Sequence, residues 1–586
     1  MKKLSFFILL LFSLTQTANS QSYNDMPKDS IVIKALRDEL YRNLNRLESK
    51  DAGKPFFISY SYLQGKVVQA SALLGSLISS DEYPVTDWTL RLMMGNYNIN
   101  DENFEDRYTQ QDEKQEYQVK PPLEPDYWGL RRMFWWNTSN VFRSAAQNYK
   151  SKLAALKDKP IRSEEEKMPD YTQATPIKRF EKSINEEVSK QEAEAFVRNL
   201  SLVFKGYKDV HRSNASLYIY NATVYIMNTE GTELMIPINF VYANISASVY
   251  TEKGDDLSES ITFFGNKFSD LPSADSIKSA ANMLANYLNE LKKAETIKEN
   301  YSGPVLLYDD AAANLLASGL FGGNMPLIAY RKPLVNDISK EMTPKDNNSI
   351  ESRMDKKIIA KDLSVKALPQ LKTYNGVNLF GSFDIDNEGI VPAKEVNLVE
   401  KGILKGLLSG RVPSKKSPGS NGHNRLGIAG GGFYTTIGPG IIEVTSDNTK
   451  NEADLKKQAA ELAQDNGLEY VFIIRPLFRG NNCYSPLNYY QYDINTGKEK
   501  LVRPMSIDNI SLNTLNKIDG AGKSMFVKNA VFQGENFSND FSGRGLFTSF
   551  IVPSSLLIRE IELQAPADYG NTDLPILENP VSELNK

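Results

Sequence analysis

The chain has 586 residues, 68 Lys and Arg against 72 Asp and Glu, one Cys and two His. That length suits two to four domains of about 150 residues, and 41% hydrophobic with 24% charged residues excludes global disorder. A lone Cys483 excludes an internal disulfide and a thiolate zinc cage, His211 and His423 are too far apart in sequence for a helical pair, and a net charge of −4 without a Lys/Arg block argues against a nucleic-acid partner.

Lys2 and Lys3 precede an apolar run from Leu4 to Leu14, and Ala18 and Ser20 stand at −3 and −1 of a cut before Gln21. Residues 1–20 therefore read as a Sec signal peptide. The run is shorter than the ~20 residues of a membrane span, an uncleaved anchor being the lesser alternative. No later stretch is apolar enough to span a bilayer once the signal is cleaved. The chain is expected to be exported, periplasmic or secreted.

Asp29 or Ser30 can cap a helix whose Leu36, Leu40, Leu44 and Leu47 share one face. Alternation predicts strands over 56–62, 66–74 and 89–94, and 98–125 reads as loop. Trp128, Trp135, Phe142, Tyr149 and Leu156 recur at heptad spacing, with Phe134, Val141 and Ala145 beside them. That spacing predicts a helix whose aromatic stripe packs on a sheet, a partner or stacking surface being the lesser reading. Residues 157–182 lack periodicity and read as a charged linker or excursion. A helix over 187–204 follows, with Val188, Ala195, Leu200 and Val203 apolar. Then comes a meander over 216–220, 223–228, 233–237 and 240–250, turned at Asn228-Thr229-Glu230-Gly231. Ser273 can cap the next helix, which carries Ile277, Ala281, Leu284, Leu288 and Leu291.

After residue 300 the texture changes. A short strand over 303–308 leads through Asp309 into a small-residue helix over 311–319. Short strands then alternate with Gly, Pro and Asn turns, interrupted by a helix over 453–465 that Gly467 closes. Strands over 470–474 and 549–558, the latter continued by 560–563, complete the pattern. The expectation is an α+β protein: an N-terminal α/β domain of strands with long helices over 21–300, and a β-rich C-terminal domain, antiparallel and barrel-like with few helices, over 301–586.

The chemical motifs are weak. Asp384, Asp386, Glu388 and Gly389 with Glu395 imitate a calcium loop, but Pro392 and strand-like flanks favour an acidic β-turn. Asp519-Gly520-Ala521-Gly522-Lys523-Ser524 ends like a phosphate loop, but Lys517 replaces the required first glycine. Residues 427–432 favour a close-approach turn. A Cys483–His423 dyad is conceivable on paper; a small buried cysteine and a polar-loop histidine are the plainer readings.

Several of these segments together resemble one family. They are Gly303-Pro304-Val305-Leu306-Leu307 with the helix to Gly322, Asp384 with Asn387-Glu388-Gly389-Ile390, Val399-Glu400-Lys401-Gly402-Ile403-Leu404-Lys405-Gly406, Ser417-Pro418-Gly419-Ser420-Asn421-Gly422, and Val552-Pro553-Ser554-Ser555-Leu556-Leu557-Ile558. Asn228-Thr229-Glu230-Gly231 is similar to a turn of the family's N-terminal domain. The resemblance is to the TldD/PmbA metalloproteases, also called modulators of DNA gyrase, and within them to the PmbA-type (TldE-like) subunit without the zinc motif.

The resemblance implies two related subunits around a cavity, which trim peptides and unfolded segments. The zinc lies on a His-Glu-x-x-x-His helix of the TldD-type subunit, with a cysteine near the C-terminus. Here Ala317, Ser318 and Gly322 stand at the His, Glu and His positions, and 541–550 contains no Cys. Methyl, hydroxyl and hydrogen side chains neither hold zinc nor take a proton from its water. No catalytic residue and no metal ligand is assigned, the substrate-binding residues stay open, and zinc is expected only in a partner subunit. The expected role is a non-catalytic subunit, inactive alone, that binds peptides beside a homologous zinc-bearing subunit in a homo- or hetero-oligomer. The alternatives are an active hydrolase with unrecognised ligands and an envelope binding protein unrelated to proteolysis.

Overall fold

A computed structural model describes residues 30–106, 118–158, 167–182, 186–336, 349–507, 509–534, 536–537, 544–566, 577 and 579–583. The signal peptide expected over 1–20 lies outside the described residues.

The first half is built on a sheet of very long strands. Strand Pro55–Leu73 pairs with Ser76–Met94 at the sheet edge and with Val210–Asn228 on its other side; Glu233–Tyr250 and Asp256–Gly265 follow. The expected breaks inside these strands are absent. Gly65 does not end a strand: a Cβ there would lie 2.5 Å from the Ala222 Cβ, so the glycine lets two neighbouring strands approach. Pro84 is tolerated because Ser76–Met94 is an edge strand with no ladder bond to lose there. The turn at Asn228 is as expected, with the Asn228 side-chain oxygen accepting the N–H groups of Glu230 and Thr232 and Gly231 at φ 105°.

Four helices cover one face of this sheet. They are α1 (Ile31–Arg46), capped by Ser30, α2 (Tyr127–Asp158), α3 (Lys190–Ser201) and α4 (Ala274–Leu291), capped by Ser273. Ile58, Tyr60, Tyr62, Val68, Ala70 and Ala72, all on one side of the first strand, face these helices. Leu63 and Val67, on the other side, pack with Ile385, Ile428, Phe433 and Val531 of the second half. The sheet is thus covered on both faces.

Two helical faces differ from expectation. In α2 the buried side is Leu130, Met133, Phe134, Ala145 and Ala146, while Trp128 and Trp135 are exposed. A polar node decides the rotation: Thr138 bonds the Tyr60 hydroxyl at 2.7 Å, which also accepts Asn43 Nδ2 at 2.8 Å. The rest of the expected stripe packs inward: Leu156 is buried, and Val141, Phe142 and Tyr149 lie against the same core. In α3 the core contacts are Ala193, Val197 and Leu200, and Ala195 faces out. The described part of the 157–182 segment packs inward: Asp170 and Tyr171 are buried, and Lys178–Phe180 joins the sheet beside Glu233–Tyr250.

The second half has two large sheets, one of them a curled half-barrel, and a two-stranded hairpin of Thr373–Tyr374 with Val377–Asn378, and the protein is α+β. In one, Tyr301–Tyr308 lies between Ser555–Leu563 and Tyr470–Pro476. In the other, Arg544–Pro553 lies between Ile441–Ser446 and Asn424–Ala429, with Met525–Phe532 also paired to it. The continuous strand expected over 549–563 is divided at Ser554, which sends its halves into different sheets. Helix α5 (Asp310–Phe321) is buried between the sheets, and α6 (Glu452–Asp465) covers the outside of the first, ending at Gly467 with φ 70°.

The halves interlock. Cys483–Tyr484, from the second half, adds a short strand to the N-terminal sheet. Arg411, 1% exposed, forms a bidentate pair with Glu230 at 2.6 and 2.8 Å, donates twice to the Thr172 carbonyl, and lies 4.1 Å from the Tyr171 ring centroid. Glu388 accepts from Arg91, the Tyr171 hydroxyl and the Arg411 N–H.

Candidate functional site

Strand Tyr301–Tyr308 delivers the chain to α5 through a strained residue. Asp309 has φ 47° and ψ −108°, a region that favours glycine. The turn is held from outside: its N–H donates to the Ser554 carbonyl at 2.8 Å, at the point where the strands divide. Asp309 occupies the capping position but gives α5 no side-chain cap; its carboxylate pairs with Arg479 at 3.0 Å.

Helix α5 is buried along its length because its side chains are small. Ala311, Ala312, Ala313 and Ala317 let sheet residues approach, and a Cβ on Gly319 would meet Leu515 at 2.7 Å. At its first turn, Asp310 pairs with Lys528 at 2.7 Å; both are buried, and Lys528 also donates to the Cys483 carbonyl. Burial pushes the Asp309 and Asp310 carboxyls up, while Arg479 and Lys528 respectively oppose that shift.

One side of α5 borders a cavity of about 750 Å³, within the range of small-ligand and peptide sites. Leu315, Met325, Met505 and Ile510 give it an apolar part. Its polar lining is dominated by asparagine, including Asn314, Asn509, Asn513 and Asn516, whose amides both donate and accept. Arg353 and Lys357 are exposed on its wall without an ion-pair partner among the described residues. No described lining residue is Asp or Glu.

Of the three positions singled out from the sequence, Ala317 and Ser318 fall on this helix and Gly322 just past its end, and they separate. Ser318 and Gly322 line the cavity, whereas Ala317 is fully buried in the apolar core. Neither a hydroxyl, a methyl nor a bare backbone carbon supplies the nitrogen, sulfur or carboxylate donors of a protein zinc site. These residues do not fit the metal.

The remaining candidates resolve simply. Cys483 sits among aliphatic side chains, where burial pushes its thiol up to about 12, so it is a thiol near neutrality. His423 is buried, not part of an open loop; it is bonded through Nδ1 to Asn421, set edge-on to Phe383, and pushed down to about 3 by burial. These two residues have different partners and make no dyad. His211 is stacked on Tyr250. In the calcium-like segment, Asp384 pairs with Arg179 and Lys372, Asp386 accepts the N–H groups of Glu388, Ile390 and Asn424, and Glu395 pairs with Lys366. It is an acidic turn whose carboxylates are already engaged. Residues 518–522 of the phosphate-loop look-alike form a strand. The glycine-rich 427–432 segment forms a hairpin with Gly430 and Gly431 at positive φ.

Comparison with known proteins gives the same grouping. Residues 331–565 match the family model described as the PmbA/TldA metallopeptidase C-terminal domain. Over those residues the chain carries a C-terminal domain of the TldD/PmbA type. No curated protein matches in sequence. Among solved structures, TldE from Thermococcus kodakarensis superposes with a TM-score of 0.54 at 11% identity, covering 91% of this chain and 100% of that one. A Thermotoga maritima protein described as a candidate modulator of a DNA gyrase superposes with a TM-score of 0.50 at 15% identity, covering 86% and 96%. At these identities the likeness is one of fold. Helix α5 lies just before the matched span, so its reading rests on the residues themselves.

Proposed function

We propose that this TldD/PmbA-family chain is an exported, zinc-free subunit that holds extended peptides or unfolded segments in the cavity beside α5 and works next to a homologous zinc-bearing subunit. The observation that carries this reading is the cavity wall itself. Ser318 and Gly322 stand at positions where the family's zinc helix has acid and metal ligand, and they border a peptide-sized space without supplying either. The asparagine-rich lining suits peptide groups, which need both donors and acceptors, and the apolar part suits side chains. Arg353 and Lys357 favour a carboxylate, whether a chain end or an acidic side chain. The TldE name of the Thermococcus kodakarensis protein agrees with a place as the second member of a pair. The signal-peptide pattern of residues 1–20 supports a site of work outside the cytosol.

Binding of an unfolded reduced casein fragment to the purified mature chain, followed by fluorescence anisotropy, tests the reading. Saturable binding without cleavage, weakened by Ser318→Trp, is expected. Absence of binding, or chelator-sensitive cleavage by the chain alone, would overturn it.

A further inference from the structure

The outer face of α2 carries three of the large exposed apolar side chains among the described residues. Of the four tryptophans in the chain, Trp128, Trp135 and Trp136 lie on this helix, exposed by 69%, 41% and 40%. Leu123 just before it and Leu153 on it are exposed too. The same helix carries Arg131, Arg132, Arg143, Lys150, Lys152 and Lys157, and its single acid is the terminal Asp158, in a chain whose net charge is −4. Two of the cations serve the fold: Arg131 pairs with Glu39 and Lys152 with Asp170. Arg132, Arg143 and Lys157 are exposed, and Lys150 is half-buried.

Successive helical residues are offset by about 100°, which puts Trp128, Arg132, Trp135, Trp136, Arg143 and Lys157 in one sector about 100° wide. That sector is opposite Leu130, Phe134 and Ala145, which are fixed against α1 and the sheet. Over the ~48 Å of a 32-residue helix, the result is a stripe with indoles in its first half and cations throughout.

We propose that this stripe docks the protein on the surface of an anionic lipid bilayer. Indole rings partition to the headgroup level of a bilayer, and arginine and lysine at the same depth pair with lipid phosphates. An apolar protein partner would match the tryptophans and leave the cations unanswered. An acidic protein would do the reverse. An anionic bilayer answers both along a straight, rigid edge. The chain would lie on the membrane without crossing it; no helix among the described residues is long and apolar enough to span one.

The test is co-sedimentation of the mature chain with vesicles of phosphatidylglycerol and phosphatidylcholine, and with phosphatidylcholine alone. Binding about tenfold or more tighter to the anionic vesicles, weakened by salt, is expected. Tryptophan emission should shift to the blue and be quenched by lipids brominated on their acyl chains, a readout that needs no variant. Trp128→Ser/Trp135→Ser and Arg132→Glu/Arg143→Glu, all at exposed positions, should each abolish binding while leaving the circular dichroism unchanged. Equal binding to both vesicles, no binding to either, or variants that bind like the parent would overturn the proposal. So would conversion of a lipid-free oligomer to a monomer by the tryptophan variant, because the stripe would then be a protein interface.

Discussion

The Lys528–Asp310 pair fixes the start of the site helix, and its removal has a calculable cost. The two charges are 2.7 Å apart with side chains 1% and 9% exposed. At an effective dielectric of about 20 their attraction is roughly 6 kcal/mol, much of it offset by the desolvation of both groups. Lys528→Met removes the attraction but not the desolvation of Asp310, whose Oδ1 already lacks a partner, and it strips the Cys483 carbonyl of its donor. The expected loss is about 3–5 kcal/mol. Burial holds the Asp310 carboxyl above its usual range. A raised carboxyl favours the folded state at low pH and costs stability as pH rises. The deficit of Lys528→Met should therefore widen between about pH 4 and neutrality. Adding Asp310→Asn removes the stranded charge and should recover about half of the loss, roughly 2 kcal/mol. Thermal and urea unfolding followed by circular dichroism at two pH values would measure this. A Lys528→Met protein as stable as its parent, or a double variant no better than the single one, would refute the reasoning.

Other outcomes follow from the same structure. Arg411→Ala strands Glu230 between the halves and should destabilise by about 3–5 kcal/mol, with hydrogen exchange rising at 228–233 and 410–412 together; a local change at only one would contradict the clamp. Cys483, with its thiol pushed up to about 12, should resist iodoacetamide at pH 8 in the native state and react on unfolding, as read by mass spectrometry. Ala317→His/Ser318→Glu/Gly322→His should not recreate a tight zinc site, because position 317 points into the core. It should instead lower stability by about 1–3 kcal/mol through overpacking. Calorimetric zinc titration and thermal melting report both effects.

Local chemistry was legible where the signal is local. Ser30 and Ser273 at helix starts, Gly467 at a helix end and Gly231 in a hairpin each do what their side chain, or its lack, requires. Small residues after Gly303 announced a helix that others pack around tightly. What the sequence hid depends on distant partners. Gly65 looks like a strand breaker until one knows how closely Ala222 approaches it, and Pro84 until one knows that its strand is at the edge. The aromatic stripe has the right period for a core face, and Phe142, Tyr149 and Leu156 do pack inward, but its first two members, Trp128 and Trp135, face outward. Asp310 and Lys528 are separated by 218 positions, and no periodicity joins them. The resemblance set Ala317, Ser318 and Gly322 side by side as expected ligand positions, and only the packing shows that Ala317 faces the core while Ser318 and Gly322 face the cavity.

Metal analysis of the mature chain, purified without chelator and dialysed against zinc, decides whether this subunit holds a metal. No stoichiometric zinc is expected in the isolated chain, and a stoichiometric zinc only in its complex with a subunit that carries the intact histidine helix. A zinc retained by this chain alone, with a tetrahedral donor set beside Ser318, would contradict it.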